Sequence, residues 1–428
     1  MVLLSALALG ANRPVSWSLL AIGVATIFSL QIVIVFARPV PLAVRRAFWP
    51  GLIFIGALLW GWCQVLPGAP ASLAHPVWSF VPDATAYISA DPGQGRHAMM
   101  RLLCYVLIFL ATLWACRKTG RASLVLRIVA VYSTGLALFG LYAFATGENF
   151  ILGEDANRAI VQASFINRNS YATYAAFGVL ANLAVYFQYA PQESDSLRGR
   201  LERFFAGSWI FALGALICIG ALSLTQSRAG AGAGLIGLLV FLIAWRGKGR
   251  RWDLVMLVLL CGILLFISLT SATGLLERMI ATDATDGRFK IYPAIISAIL
   301  DRPFLGHGLG SFHDAFRAYV PPAAAFGEWA RAHSTYLELA FGLGLPAAAL
   351  FLLSQALIIC QVWRGTRRRS ENRAFSCFAF GCSATAAFHS VFDFSLQMPA
   401  TAALYSAILA LGFAQSFTRQ ELSTAAPG

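Results

Sequence analysis

Three basic side chains have the types and positions needed to act on a phosphate-linked sugar. Arg228 follows Ser227, a favoured helix N-cap, and a helix N-terminus beside a guanidinium can bind phosphate. Arg288 begins a second predicted helix, where the helix dipole disfavours a cation unless it serves another purpose. His333 leads into an apolar segment, and histidine is the usual general base near neutral pH. These residues predict two phosphate-binding arginines and a base for a sugar hydroxyl.

Weaker candidates lie at the predicted outer ends of long apolar segments or, for Lys290, in the long loop between two of them. Polar residues at the rim of a membrane are costly, so they tend to bind substrate or to pair with one another. These candidates are Asn167, Arg168, Asn169, Lys290, Tyr336, His389 and Asp393. For Arg168 and Asp393, pairing within the outer rim is an equal alternative to substrate binding.

The main candidates also have structural interpretations. Arg228 could lie at the membrane interface with its guanidinium among lipid headgroups, and Arg288 could be a solvated loop residue. A single histidine is more often structural than catalytic. This interpretation applies to His75, His97, His307, His313 and His389.

The elements that must position these residues are membrane helices. The chain has 428 residues, 58% hydrophobic and 12% charged, with a mean hydropathy of +0.70, whereas soluble domains carry about 25% charged residues. Apolar runs of about 20 residues can span a bilayer, and they predict an all-α polytopic membrane domain, residues 1–428, with about 11–12 transmembrane helices. The predicted spans are 15–36, 47–66, 98–116, 123–146, 170–190, 207–225, 229–245, 253–271, 334–363, 374–391 and 398–417.

The basic residues predict the orientation of these helices. More than half of the 32 Lys and Arg residues lie in every second loop, and basic loops stay in the cytoplasm. These loops are 38–46, 117–121, 198–203, 246–251 and 364–373. The other loops are therefore expected on the outer side. The net charge of +13 then reflects membrane topology, and no nucleic-acid partner is predicted.

The apolar residues 1–11 are too few to span a bilayer. They form either a half-buried end or the outer part of a helix that begins upstream of Met1, and we favour the second. The stretch lacks the basic region and cleavage site of a signal peptide.

The longest outer loop, residues 272–333, is predicted to carry the catalytic groups. Its hydrophobic residues from Phe289 to Leu300 recur every three or four positions, which predicts an amphipathic helix. A Pro at position 303 should end this helix, and a Gly-rich turn at 306–310 follows. Acidic and basic residues balance in the loop, so individual arginines must recognise any anion.

The cysteines and acidic residues do not predict a metal site. All eight cysteines lie in or at the ends of apolar segments, so we expect reduced packing residues. No pair has the spacing of a zinc site, and no Asp-x-Asp pair occurs. We expect neither a bound metal nor a cofactor.

Taken in order, these motifs resemble the O-antigen ligase and polymerase superfamily of bacterial membrane glycosyltransferases. The resemblance covers most of the chain and is strongest over 160–400. The matching segments are Phe165 to Asn169, Gln226-Ser227-Arg228, Asp286-Gly287-Arg288, Pro303 to Gly308, His333 to Leu337, Gly342 to Gly344, and His389 to Phe394.

The resemblance implies a GT-C-type fold in the bacterial inner membrane, with an active site facing the periplasm. It implies an undecaprenyl-diphosphate-linked glycan as donor, lipid A-core or another glycan as acceptor, and no bound metal. The family arginines that hold the lipid diphosphate correspond to Arg228 and Arg288, and the family histidine corresponds to His333. Ser334 departs from the family pattern, in which asparagine is common at this position.

The preferred interpretation is an inverting, metal-independent O-antigen ligase surrounded by membrane lipids. A polymerase that joins repeat units of O-antigen or exopolysaccharide on the lipid carrier is the nearest alternative, and transfer to a protein is a third. A transporter or lipid flippase is an alternative of another class. Such proteins tend to carry ionisable residues near the membrane midplane, whereas Arg101 and Arg127 are expected near helix ends.

Overall fold

The protein is helical throughout the part of the chain that the structure describes. The computed structural model describes residues 1–147, 160–188, 209–245, 287–324, 328–369, 372–418 and 420–421. Its α-helices are α1 (Pro14–Val35), α2 (Leu42–Arg46), α3 (Phe48–Gln64), α4 (Pro92–Ala115), α5 (Thr119–Thr146), α6 (Arg168–Gln188), α7 (Trp209–Leu224), α8 (Arg228–Trp245), α9 (Gly287–Asp301), α10 (Phe312–Phe316), α11 (Thr335–Leu343), α12 (Leu345–Arg368), α13 (Arg373–Phe392) and α14 (Pro399–Ala414). No strand occurs within these ranges, which confirms the predicted all-α class.

Six of the described helices, α1, α4, α5, α8, α12 and α13, are long and apolar enough to cross a membrane. The helices α3, α7 and α14 are apolar but have only 17, 16 and 16 residues. Helix α6 is buried along nearly its whole length, because α5, α7, α8 and α13 pack around it. With six helices of this length and composition, the chain is a polytopic membrane protein. The predicted span at 253–271 lies outside the described residues.

The prediction of one continuous span at 334–363 is wrong. The structure divides it at Gly344, where φ is 76°, into α11 and α12. A Cβ atom on Gly344 would lie 2.6 Å from the Phe304 carbonyl oxygen, and the Leu345 amide donates to the Pro303 carbonyl at 2.7 Å. The helix breaks where the outer loop attaches, and glycine tolerates both the positive φ and the close approach.

Arg101 and Arg127 do not lie near helix ends, so that expectation is also wrong. Arg101 is ten residues into the 24-residue α4, and Arg127 is nine residues into the 28-residue α5. The Arg101 guanidinium lies over the ring of Trp17 in α1, 5.5 Å from its centroid. The positions of these arginines therefore do not argue against a transporter.

The apolar residues before α1 form two 3₁₀ turns, Leu4–Ala6 and Leu9–Ala11. The Ala6 carbonyl accepts a hydrogen bond from the Ser164 hydroxyl at 2.6 Å. This segment therefore lies beside the residues that lead into α6.

The basic loops that follow α4 and α12 meet at one end of the helix bundle. The Gln415 side chain donates to the Cys116 carbonyl at 2.6 Å. The Arg369 side chain donates in turn to the Gln415 carbonyl, also at 2.6 Å. These bonds hold together the ends of α4, α12 and α14.

The opposite end carries the loops predicted to lie outside, and we refer to it as the outer end. Gln64, the last residue of α3, is fully buried there. Its amide donates to the Leu305 and Gly342 carbonyls at 2.7 and 2.9 Å, and its oxygen accepts from the Leu309 amide at 3.1 Å. These bonds satisfy the buried amide group, which would otherwise be costly to bury. They also hold the Gly-rich turn against α11. The turn has the positive φ angles expected of it, at Gly306, Gly308 and Gly310.

The predicted amphipathic helix of the long outer loop is confirmed as α9. It ends at Asp301 as predicted, and it contains Pro293. Its buried face contributes to a second hydrophobic cluster, whose members include Ile291, Ile295, Ile299, Phe312, Phe316 and Phe341. Burying one such side chain stabilises a fold by about 1.5–3 kcal/mol. The described part of the loop is therefore a packed layer over the outer end.

Candidate functional site

Close packing of α6, α8 and α13 decides which residues meet at the outer end. Gly230 of α8 lies against Ala172 of α6. Two residues further along α8, Gly232 lies against the ring of Phe388 in α13. Small residues at these contacts let the helices approach closely. The arginines that begin α6 and α8 therefore lie at the same end as the last turn of α13.

Arg228 is exposed and is the first residue of α8. Ser227 caps this helix as predicted, because its hydroxyl accepts the Gly230 amide at 3.1 Å. The Ser227 amide donates to the Thr225 hydroxyl at 3.2 Å. Hydrogen bonds thus fix the turn before Arg228, and the first amides of α8 point toward the outer end.

Asn167 and Asn169 hold the start of α6. The Asn167 side-chain oxygen accepts the amides of Asn169 and Ser170 at 2.7 and 3.3 Å. The Asn169 side chain donates to Asp393 Oδ2 at 2.5 Å, and Asp393 Oδ1 accepts the Phe394 amide at 2.7 Å. Asp393 is fully buried, so these bonds offset the cost of burying its carboxylate. They tie α6 to the turn after α13.

His389 and Tyr336 also bond to the protein. His389 is 1% exposed, and its Nδ1 lies 2.8 Å from both the Thr173 and the Ser395 hydroxyl oxygens. The Tyr336 hydroxyl donates to the Ala387 carbonyl at 2.9 Å. These two predicted substrate-binding residues therefore join α6, α11 and α13.

His333 lies where the outer layer meets the bundle. Its backbone has a φ of 52°, in the left-handed region, and its carbonyl accepts the Tyr292 hydroxyl at 3.0 Å. Its half-buried ring makes T-shaped contacts with the Phe394 and Trp329 rings, whose centroids lie 5.2 and 6.2 Å away. The residue after it, Ser334, caps α11 by accepting the Leu337 amide at 3.4 Å.

Arg288 and Lys290 lie in the first turn of α9. The Arg288 side chain is outside the described part of the structure, and Lys290 is exposed. Tyr292, which reaches the His333 carbonyl, is about one helical turn beyond Arg288. The structure therefore brings the start of α9 close to His333.

Neither Arg331 nor Glu338 was singled out from the sequence. Arg331 Nη1 lies 3.0 Å from Glu338 Oε1 and 3.0 Å from Gln397 Oε1. Glu338 Oε2 accepts the Ala332 amide at 2.9 Å. The available signal was an acidic residue in the first turn of a helix, where the helix dipole favours it.

His75 and His307 are structural, as expected of single histidines. His75 Nδ1 accepts the Val77 amide at 3.2 Å, so His75 Nε2 carries the proton that bonds to His307 Nδ1 at 3.0 Å. His307 Nε2 then donates to the Ala298 carbonyl at 2.8 Å. Burial lowers the pKa of His75 to about 3, with smaller contributions from His307 and Arg302. Burial also lowers the pKa of His307.

Within the described ranges, no group of three or more His, Cys, Asp and Glu side chains is arranged so that it could hold a metal ion. Metal independence stays a prediction from the sequence.

The fold and this polar outer end define a polytopic helical membrane protein whose ordered outer layer lies over its helix ends. An O-antigen ligase family model matches residues 213–352. The match confirms the predicted resemblance to the O-antigen ligase superfamily within these residues. The match indicates a glycan-processing enzyme of the ligase and polymerase type. No curated protein matches this chain.

The matched segment contains Arg228, Arg288 and His333, the three main candidates. It ends before His389 and Asp393, and it begins after Arg168.

Proposed function

We propose that this protein transfers a glycan from undecaprenyl diphosphate to a hydroxyl group of lipid A-core, at the periplasmic face of the bacterial inner membrane. The supporting observation is that Arg228 and His333 both lie at the outer end. Helix α8 begins there with Arg228. The segment after His333 is attached there by the Thr335 hydroxyl, which donates to the Asp393 carbonyl at 3.1 Å.

The reaction requires charge stabilisation more than covalent chemistry from the protein. The acceptor oxygen bonds to the anomeric carbon while the bond from that carbon to the diphosphate oxygen breaks, so the configuration inverts. The diphosphate leaves with the bonding electron pair. A preorganised donor aimed at such charge is worth about 3–4 kcal/mol of barrier. We assign this role to Arg228 and Arg288, together with the first amides of α8.

His333 acts on the acceptor. Its imidazole accepts the proton that the acceptor hydroxyl loses as the new bond forms, a role worth about 10²–10⁴-fold in rate. The Phe394 and Trp329 rings beside it shield part of the imidazole from water. The packed layer formed by α9 and α11 places it over the helix ends.

The weaker candidates divide into two groups. Arg168 begins α6 and Lys290 is exposed in the first turn of α9, so both are assigned to binding the diphosphate or the glycan. The second group supports the site through its hydrogen bonds to the protein and consists of Asn167, Asn169, Tyr336, His389 and Asp393.

The proposed orientation rests on charge. The basic loops after α4 and α12 meet at the end opposite His333, and basic loops favour the cytoplasm. The outer end then faces the periplasm, where both substrates would be available.

The test replaces His333 and Arg228 separately by Ala in the native host, with membrane expression checked. Arg317→Ala is the matched control, because its side chain is 61% exposed in the same layer. Loss of O-antigen from lipopolysaccharide, with long chains left on undecaprenyl diphosphate, supports the ligase. Single repeats retained without long chains would indicate a polymerase instead. No change in any glycan would refute the proposal.

A further inference from the structure

A buried carboxylate bonds to the two residues that precede the proposed base. Glu338 is 8% exposed, and both of its oxygens are bonded: one to Arg331 at 3.0 Å and the other to the Ala332 amide at 2.9 Å. Burying a carboxylate is costly unless it is paired and hydrogen-bonded. Nothing in the proposed chemistry uses this group directly, so its position requires a separate explanation.

The two groups that Glu338 holds are the residues immediately before His333. Arg331 is held further by Gln397, whose Oε1 lies 3.0 Å from the same guanidinium nitrogen. Gln397 belongs to the turn that joins α13 to α14. The carboxylate therefore fixes the chain entering His333 against both α11 and this turn.

The backbone of His333 needs such support. Its φ of 52° lies in the left-handed region, which costs a non-glycine residue about 1–2 kcal/mol. Such a conformation persists only where the surroundings impose it. Here the Tyr292 hydroxyl bonds the His333 carbonyl at 3.0 Å, and Glu338 fixes the residues before it.

We propose that Glu338 is the positioning residue for His333: with Arg331 it holds the backbone that aims the imidazole at the acceptor hydroxyl. The inference rests on the proposed function, in which His333 is the base. Glu338 touches neither substrate in this account, so it acts through His333 alone. Removing its carboxylate leaves the Ala332 amide and the Arg331 guanidinium without this partner. The backbone at His333 is then less restrained, and the imidazole no longer keeps its orientation toward the acceptor hydroxyl.

A double-mutant cycle tests this. Glycan transfer is measured with the purified full-length chain in nanodiscs for wild type, Glu338→Ala, His333→Ala and the double variant. A misplacement of about 1 Å can cost about 10²-fold in rate, so Glu338→Ala should lower kcat by about 10²-fold. The KM for the lipid-linked donor should stay within about twofold, because the arginines assigned to the diphosphate, Arg228 and Arg288, are untouched.

The decisive outcome is non-additivity. If Glu338 acts through His333, Glu338→Ala should cause no further loss of kcat in the His333→Ala protein. A merely structural carboxylate would lower activity by the same factor in both backgrounds, and that additive result would overturn the inference while leaving the proposed function intact. Loss on Glu338→Ala with full activity in His333→Ala would overturn both.

Two further variants keep the test interpretable. Glu338→Gln retains an oxygen for the Ala332 amide but loses the charge that pairs with Arg331, so it should lose about tenfold in kcat, less than the Ala variant. It replaces Glu338→Ala in the cycle if the Ala variant does not accumulate. Glu328→Ala is the matched control, because it removes an 82%-exposed carboxylate that lies 3.5 Å from Arg317 in the same layer. Full activity in both Glu338 variants would overturn the proposal.

Discussion

Two histidines of the outer layer have different surroundings. His307 is 1% exposed, stacks on Phe341 with ring centroids 4.3 Å apart, and has both ring nitrogens within hydrogen-bond distance of protein partners. His333 is half-buried, has a left-handed backbone, and lies where the ends of α11 and α13 meet. His307 is held neutral as part of the packing. Its burial and its hydrogen bonds distinguish it from His333, the candidate base.

The largest expected effect is on catalysis by His333. His333→Ala should lower kcat by about 10²–10⁴-fold, the usual contribution of a general base, without lowering the temperature of unfolding. Transfer rate and thermal unfolding of the purified protein measure the two effects. An equal loss of activity and of folded protein would mean that His333 is structural, like His307.

Arg228 and Arg302 give a parallel comparison between two arginines. Arg228→Ala should lower kcat/KM for the lipid-linked donor by about 10²–10³-fold, because a donor aimed at the leaving group is lost. Arg302 donates instead to the carbonyls of Leu73, Ala74 and Gly306 at 3.0–3.2 Å. Arg302→Ala should therefore reduce stability and leave donor KM unchanged. A raised donor KM in the Arg302 variant would contradict this assignment.

The effect of His307→Phe should be confined to stability. Phenylalanine can keep the stacking on Phe341, but the His75 ring and the Ala298 carbonyl lose a partner. An unsatisfied buried group costs about 1–3 kcal/mol. Denaturant unfolding of the variant should show a loss of this size, with kcat per folded molecule unchanged. A fall in kcat per folded molecule would link His307 to the reaction.

The last expected effect is the acid sensitivity of the same pair. The pKa of His75 is lowered by burial from 6.5 to about 3, and the pKa of His307 is lowered in the same direction. Below about pH 6.5 the unfolded chain therefore binds protons that the folded chain does not. Their contribution to stability should be complete above about pH 6.5 and should decrease as the pH falls toward 3.

Thermal unfolding measured across this pH range checks the effect. The double variant His75→Gln, His307→Gln should lose stability with acid less steeply than the wild type. Equal slopes would show that these histidines do not titrate as the structure indicates.

Local features of the sequence predicted local structure well. The apolar runs indicated most of the described helices, and the 3/4 spacing after Phe289 indicated α9. Ser227 was a predictable cap because capping depends on a residue and the amides that follow it. The Gly-rich turn was predictable for the same reason, since glycine favours the positive φ that Gly308 adopts.

The features that could not be predicted depend on contacts between residues that are not neighbours in the sequence. The break at Gly344 depends on the approach of Phe304, 40 positions earlier. The Asn169 and Asp393 side chains are separated by 224 positions, and hydrophobic periodicity carries no information about such a pair. Glu338 looked like an ordinary residue in the first turn of a helix until folding placed Arg331 beside it.

The most direct test of the central claim is transfer by the purified chain in nanodiscs, supplied with undecaprenyl-diphosphate-linked glycan and lipid A-core after exhaustive chelation. The account predicts full transfer by the wild type, with inversion at the anomeric carbon, and transfer near background by His333→Ala and Arg228→Ala. A strict requirement for added Mg²⁺ or Mn²⁺, retention of configuration, or wild-type transfer by the His333 variant would contradict it.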